Sequence, residues 1–216
     1  MEKRNNPVNT HEFVAELKHY KPRIWRRIQV TDKMSLEDLA YIVMNSFNCY
    51  GNHLYQVVTK INGKDIYYSV PNPYDDYYDT GEMKDIAEVK LSKVFKKPKD
   101  WITLEYDFGD GWEFKIQLEK KDILADKPEE AYPYIDSGKG YGIIEDCGGD
   151  EGLEEIADGL SKGTLDEEMI EWLQGQLDFE WDGKENFLVQ FDKEAFNENN
   201  DDYTLLRAIY REQNDE

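Results

Sequence analysis

The segment WITLEYDFGDGWEFKIQLEK, residues 101–120, determines how this chain folds. Apolar and polar residues alternate on both sides of Gly109-Asp110-Gly111, which predicts two antiparallel strands joined by a tight turn. The even-numbered positions from Ile102 to Leu118 are apolar apart from Asp110, so they share one face of the hairpin. We expect this hairpin to lie at the centre of an α+β protein.

The length of the turn sets the pairing of the two strands. A two-residue Asp110-Gly111 turn would place Phe108 opposite Glu113 and divide the apolar face. A three-residue loop, Gly109-Asp110-Gly111, keeps that face continuous and uses Gly111 in the left-handed conformation. The predicted pairs are Phe108 with Trp112, Tyr106 with Phe114, and Leu104 with Ile116.

The residues before this hairpin predict a second hairpin, a helix and two further strands. Pro22 suits the connection between the first two strands, because proline cannot donate to a sheet ladder. Ser35 is suited to cap the helix, whose apolar residues recur at helical spacing. The predicted elements are strands over 13–18 and 24–30, a helix over 36–47, and strands over 53–61 and 66–70.

The chain divides by composition near residue 126. Residues 1–126 are predicted to form the sheet core. Residues 127–216 are predicted to form an acidic, mainly helical extension packed on that core as part of one compact unit. The extension keeps aromatic residues such as Trp172 and Trp181 to bury, so it is not a disordered tail.

The net charge of −21 favours a basic partner or a metal ion and disfavours direct contact with nucleic-acid phosphates. No apolar run is long enough to span a membrane, and the first residues lack an apolar signal segment. The two cysteines, Cys49 and Cys147, lie far apart in the sequence. Together these features predict a cytoplasmic protein with reduced thiols and no membrane segment.

A basic stretch over 18–33 contrasts with an acidic stretch over 145–182, which holds fourteen acidic residues and one lysine. The arginines of the basic stretch, Arg23, Arg26 and Arg27, are candidates for an anion-binding site. The alternative is that the basic and acidic stretches face each other or are simply solvated faces, and if the motifs are wholly structural, Arg26 and Arg27 pair with carboxylates.

Carboxylates at two glycine-rich segments are the candidates for chemistry. Asp107 and Asp110 flank the hairpin turn, and Glu145 and Asp146 precede Cys147-Gly148-Gly149. With His53 they form the set of catalytic candidates, and Asp107, Asp110 and Asp146 are the candidate ligands if a metal binds. The alternative is that the aspartates only build turns by accepting backbone hydrogen bonds. No cofactor is expected beyond a divalent cation.

The segment over 71–81 is a long irregular loop rich in tyrosine. Tyr74, Tyr77 and Tyr78 are candidates for contact with a partner, since tyrosine is enriched at binding surfaces. Cys147 is predicted to be a poor nucleophile because carboxylates surround it.

Several segments together resemble the plasmid pRiA4b ORF-3-like family, also described as an insertion-element passenger of TnpR type. The resemblance extends from about Phe13 to the C-terminal helices. It implies an α+β fold with a mixed or antiparallel sheet and a flanking helical part, and the hairpin–helix–strand start also looks like half of a β-grasp. The family is found on plasmids and mobile elements. The segments that carry the resemblance are PRIWRRIQV over 22–30, LEDL over 36–39, HL at 53–54, LS at 91–92, YDFGDGW over 106–112 and EDCGG over 145–149.

The chain departs from the family pattern at three places. Members often carry a histidine two residues after the hairpin tryptophan, where this chain has Phe114. They often carry a second histidine soon after the one that matches His53, where this chain has Tyr55 and Gln56. They often carry Cys-Pro-Pro before the acidic motif, where this chain has Gly142-Ile143-Ile144. If those residues bind metal in relatives, part of that set is missing here.

Three functional hypotheses follow from the sequence. The first is a non-catalytic binding or adaptor module for a protein or small ligand, with a basic partner favoured. The second is a metal-dependent hydrolase or nuclease that brings the His53, Asp107, Asp110, Glu145 and Asp146 side chains into one cleft. The third is that all the motifs are structural. Recombinase chemistry is not expected, because the chain has no serine among arginines and no basic DNA-binding module.

Overall fold

A computed structural model describes residues 8–61, 63–71, 83–87, 89–177 and 179–214. Eight strands form one mixed sheet in the order β5-β4-β3-β6-β7-β1-β2-β8. All neighbouring strands are antiparallel except β4 and β5, which are parallel. The strands are β1 (Asn9–Leu17), β2 (Trp25–Thr31), β3 (Tyr55–Ile61), β4 (Lys64–Ser69), β5 (Met83–Asp85), β6 (Trp101–Tyr106), β7 (Trp112–Leu124) and β8 (Tyr134–Lys139). The helices are α1 (Leu36–Ser46), α2 (Leu91–Val94), α3 (Gly149–Lys162), α4 (Glu167–Gln176), α5 (Lys193–Glu198) and α6 (Asp202–Asn214).

The α+β class with its mixed sheet and helical C-terminal part is confirmed. The hairpin of β6 and β7 lies at the middle of the sheet, between β3 and β1. The β1–β2 hairpin, α1 and β3 follow one another in the predicted order, and β3 pairs with β4 and β6.

The predicted register of the central hairpin is wrong by two residues. Tyr106 pairs with Trp112, and Leu104 pairs with Phe114, so the turn has five residues. Phe108 lies inside this turn and is 55% exposed, so it does not extend the apolar face. Gly111 is left-handed, as predicted, with a φ of 71°.

Helix α1 packs on the sheet as the sequence predicted. The Ser35 side chain accepts a hydrogen bond from the Asp38 N–H, and the Asp38 carboxylate accepts one from the Ser35 N–H. This capping box starts the helix. The apolar residues of α1 are fully buried, including Leu39 and Val43.

Strand β8 lies in a segment whose sequence shows little periodicity. It pairs with β2 at the edge of the sheet, so the sheet spans both predicted segments of the chain. Helix α6 of the extension also contacts α1. Its Arg211 donates two hydrogen bonds to the carboxylate of Glu37 on α1. In the described parts of the chain, no helix combines the length and the apolar character needed to cross a membrane.

The three candidate anion-binding arginines all make contacts within the chain. Arg26 is completely buried. Its guanidinium donates to the backbone oxygens of Trp25, Ser46, Lys139 and Tyr141 at 2.7–3.0 Å.

Of the two arginines that the structural interpretation paired with carboxylates, Arg27 forms such a pair and Arg26 does not; the neighbouring Arg23 also pairs with a carboxylate. Arg27 lies 2.7 Å from a Glu12 oxygen, and Arg23 lies 2.6 Å from a Glu16 oxygen. The Arg23 guanidinium also lies 5.2 Å from the centre of the Trp25 ring. Burial therefore closes Arg26 to a phosphate, whereas the Arg23 side chain remains 53% exposed.

Candidate functional site

Three loops that are distant in the sequence meet beside the central hairpin. His53 lies in the loop between α1 and β3, Asp107 is the first residue of the β6–β7 turn, and Glu145 precedes α3. One potential ligand atom from each of these residues lies within 4.8 Å of the other two. Of the five catalytic candidates predicted from the sequence, these three form the compact centre.

The β6–β7 turn is tied directly to the His53 loop. The Asp107 N–H donates to the Leu54 oxygen at 2.9 Å, and the Asp107 oxygen accepts from the Gly111 N–H. Asp107 has a φ of 52°, and its carboxylate accepts from the Gly109 N–H at 2.9 Å. Asp107 therefore builds the turn, as one interpretation of the sequence held, while its carboxylate also faces the His53 ring.

The Glu145 side chain is 1% exposed. Among the described residues, hydrogen-bond donors reach only one of its two carboxylate oxygens. Oε1 accepts from the Tyr50 N–H at 2.6 Å and from the Tyr106 hydroxyl at 2.7 Å. Oε2 is buried and has no hydrogen-bond partner among the described residues. Burial raises the pKa of Glu145, although the hydrogen bonds from Tyr50 and Tyr106 and the nearby His53 oppose this shift.

The His53 ring lies between the carboxylates. Its Nδ1 is 3.8 Å from Asp107 Oδ1, and its Nε2 is 3.7 Å from Glu145 Oε2. Nε2 is buried, and no described residue forms a hydrogen bond with it. Two unsatisfied polar atoms thus face each other at a distance too long for a hydrogen bond.

The acidic motif, Glu145-Asp146-Cys147-Gly148-Gly149, belongs to the extension and borders the site. Asp146 Oδ1 lies 3.8 Å from His53 Nε2, and the Asp146 side chain is 70% exposed. Asp110 Oδ2 accepts from the Gly148 N–H at 3.3 Å, which joins the hairpin turn to this motif. Asp146 therefore lies at the solvent-exposed edge of the site. Asp110 holds the hairpin turn against the acidic motif.

Gly149 allows the close approach of the two segments. Its φ is 72°, and a Cβ on it would lie 2.4 Å from the Asp110 backbone oxygen. Only glycine combines this backbone conformation with that spacing.

Cys147 is poorly suited to act as a nucleophile at neutral pH. Burial, with a contribution from the charge of Asp110, raises the pKa of its thiol to about 12. The thiol is therefore protonated at neutral pH, as the surrounding carboxylates suggested.

Arg26 fixes the framework behind the site. Its bonds to the Ser46 and Tyr141 oxygens join the end of α1 to the segment that leads to Glu145. The Ile143 N–H extends this connection by donating to the Phe47 oxygen at 2.9 Å. The guanidinium lies 3.7 Å from the centre of the Phe191 ring.

The sequence did not single out Tyr106 as a site residue. Its alternation places Tyr106 on the core face, and the ring is indeed buried. The hydroxyl, however, donates to Glu145 and accepts from the Gly51 N–H at 3.1 Å. The position of Tyr106 directly before Asp107 was the available signal. The contact candidates Tyr74, Tyr77 and Tyr78 lie outside the described residues.

Comparison with known proteins places this architecture in a family. Residues 9–200 match the family model of the plasmid pRiA4b ORF-3-like protein. The uncharacterized protein y4hQ of Sinorhizobium fredii (strain NBRC 101917 / NGR234) is 26% identical over 166 residues, which are 76% of this chain and 80% of that protein. The crystal structure of a protein of unknown function, MM3350 from Methanosarcina mazei Go1, superposes with a TM-score of 0.71 at 25% identity. That match covers 87% of this chain and 97% of MM3350.

Proposed function

The chain belongs to the plasmid pRiA4b ORF-3-like family, and we propose that it is a binding module for a divalent cation held by His53, Asp107 and Glu145. The observation that carries the proposal is the buried, unsatisfied Oε2 of Glu145, which faces the unsatisfied Nε2 of His53. A buried carboxylate oxygen without a donor costs free energy, and a cation between the two atoms would satisfy both.

The donor set indicates the kind of cation. One imidazole and two carboxylates suit Zn²⁺ or Mn²⁺, whereas Ca²⁺ and Mg²⁺ prefer an all-oxygen shell. Around Zn²⁺, ligand atoms lie about 2.0–2.2 Å from the metal. His53 Nε2 and Glu145 Oε2, which lie 3.7 Å apart, would therefore need only a small inward movement to hold one ion, and the Asp107 ligand atom, within 4.8 Å of the other two, would also have to move inward.

Thermal unfolding with added metal tests this proposal. After chelator treatment, Zn²⁺ or Mn²⁺ should raise the Tm of the wild-type protein, because a ligand that binds only the folded state stabilises it. The Glu145→Gln and His53→Gln variants should lose most of this increase. Titration calorimetry should give one site per chain.

A second histidine provides the matched control for these variants. His19 is more exposed, lies 3.8 Å from Glu113 and is not one of the three clustered residues. His19→Gln should keep the full metal-dependent increase in Tm. Equal responses in the His53 and His19 variants, or no response in the wild type, would contradict the proposal.

Metal-assisted hydrolysis is the second candidate function, and the position of Asp146 favours it. Its exposed carboxylate lies 3.8 Å from His53 Nε2, where it could accept a proton from a water molecule bound to the cation. The net charge of −21 disfavours a nucleic-acid substrate. With an ester substrate and saturating Zn²⁺, Asp146→Asn should lower kcat while the metal affinity remains; an unchanged kcat would exclude this role for Asp146.

A further inference from the structure

A cleft of about 720 Å³ separates α3 from α4 and begins at the mouth of the candidate site. Asp146 and Cys147 form the end nearest His53, and the linker through Thr164 and Leu165 closes the other side. The cleft is therefore continuous with the site but is built by different elements.

The charge of the lining has a single sign. None of the described residues that line the cleft is a lysine, arginine or histidine. The side-chain carboxylates of Glu155 and Glu168 form no hydrogen bond or ion pair with another described residue, and both residues are exposed. The nearby Lys162 neutralises only Asp158, at 2.7 Å. The carboxylates that line the cleft are Asp146, Glu155, Asp158, Asp166 and Glu168.

The cleft also has an apolar part. Met169 is 37% exposed, and Trp172 and Leu165 are half-buried beside it. Aliphatic stems of lysine or arginine can pack on such a surface while their charged ends reach carboxylates. A methionine and an indole also suit an adaptable or cation–π contact.

We propose that this cleft binds a basic peptide segment of a partner protein, with lysine or arginine side chains placed between Glu155 and Glu168. Charge complementarity is the basis of the assignment. The proposal goes beyond cation binding at His53 and does not depend on it.

A second copy of this chain is a poorer occupant than a separate partner. Each copy carries −21, so two copies repel one another. Several residues of the basic stretch are already paired within the chain, for example Arg23 with Glu16 and Arg27 with Glu12. The lysines near α2 are nevertheless exposed and could enter the cleft of another copy, so the test must distinguish self-association from binding of a separate partner. These lysines are Lys90, Lys93, Lys96 and Lys97.

Fluorescence anisotropy with a labelled synthetic peptide, in which lysine alternates with serine around one leucine, tests the cleft. At low salt, the double variant Glu155→Gln/Glu168→Gln should raise the Kd about tenfold. The control double variant Glu198→Gln/Glu212→Gln, which removes the same charge outside the cleft, should bind as the wild type does. Added salt should weaken wild-type binding.

The outcomes separate this proposal from its competitors. Absent binding, or equal losses in the two double variants, would overturn it. Displacement of the peptide by spermine at equal molar concentration would assign the cleft to polyamines instead. Sedimentation that shows self-association in the wild type but not in the cleft variant would assign it to a second copy. The wild type should bind the peptide equally well in chelator and in Zn²⁺, so a failed metal titration leaves the cleft assignment standing.

Discussion

At the scale of single residues, Glu145 combines burial with an incomplete set of partners. Burial raises the pKa of its carboxyl, so the ionised form destabilises the fold when no cation is present. Tyr106 and the Tyr50 N–H offset part of this cost at Oε1. The residue resembles many functional carboxylates, whose environment favours ligand binding over stability.

This environment predicts an unusual pH dependence of stability. Because the folded-state pKa of Glu145 is raised, its favourable contribution is complete below the ordinary glutamate pKa and is lost as the pH rises through the raised value. In chelator, Glu145→Gln should therefore have a higher Tm than the wild type at pH 7, and the difference should vanish near pH 4. The amide keeps an acceptor for Tyr50 and Tyr106.

The exposed Glu155 is the control for this pH series. Glu155→Gln should change the Tm by a small amount and without the same pH profile. If the Tm curves of the wild type and Glu145→Gln run parallel from pH 4 to pH 8, the carboxylate does not carry the destabilising charge.

The chemical character of the site was predictable from residue types, but its partners were not. His53, Asp107 and Glu145 stand out in the sequence because each adjoins a turn or glycine-rich segment. Their meeting depends on contacts between distant loops, such as that between the Asp107 N–H and Leu54. The structural role of Arg26 was hidden because its partners are backbone oxygens, which have no signature in the sequence.

At the scale of elements, the central hairpin shows what periodicity determines. Alternation with period two fixes which side chains share a face, and that prediction is correct for β6 and β7. Three-residue and five-residue turns both preserve this face, so alternation cannot choose between them. Asp107 stabilises the five-residue turn, because its backbone is left-handed and its carboxylate accepts a hydrogen bond from the Gly109 N–H. Strand β8 was missed because it lies at the sheet edge and contains glycine.

The junction between the hairpin turn and the acidic motif gives a prediction at this scale. Gly149→Ala adds a Cβ at 2.4 Å from the Asp110 oxygen to a left-handed backbone, so we expect a loss of roughly 2–4 kcal/mol and of the metal response. Gly148→Ala has the same kind of φ but nothing within 4 Å, so it should cost only about 1–2 kcal/mol. Urea unfolding measures both losses, and equal values would rule out the clash.

At the scale of the whole molecule, Arg26 joins three layers. It extends from β2 to the end of α1 and to the segment before α3, and Phe191 of the extension covers it. Burial lowers its pKa to about 9, so the guanidinium remains charged at neutral pH and keeps its donors. This one side chain therefore connects the sheet, α1 and the extension.

Replacing this side chain should destabilise the entire fold. Lysine cannot reproduce the four hydrogen bonds of the guanidinium, so Arg26→Lys should cost roughly 2–4 kcal/mol in the free energy of unfolding. Arg27→Lys alters only the partly exposed pair with Glu12 and should cost less than about 1 kcal/mol. Chemical denaturation measures the free energy of unfolding of both variants. Similar losses would show that the buried hydrogen bonds of Arg26 contribute no more to stability than the Arg27–Glu12 pair.

The separation of His53, Asp107 and Glu145 along the chain has a further consequence. An ion bound to all three would act as a reversible cross-link between segments that are distant in sequence. Unlike a disulfide, which remains in the unfolded chain and limits its freedom, the ion would hold these segments together only while the chain is folded; Cys49 and Cys147 are both free thiols. The resistance of the chain to unfolding would then follow the concentration of available metal and fall reversibly when a chelator removes it.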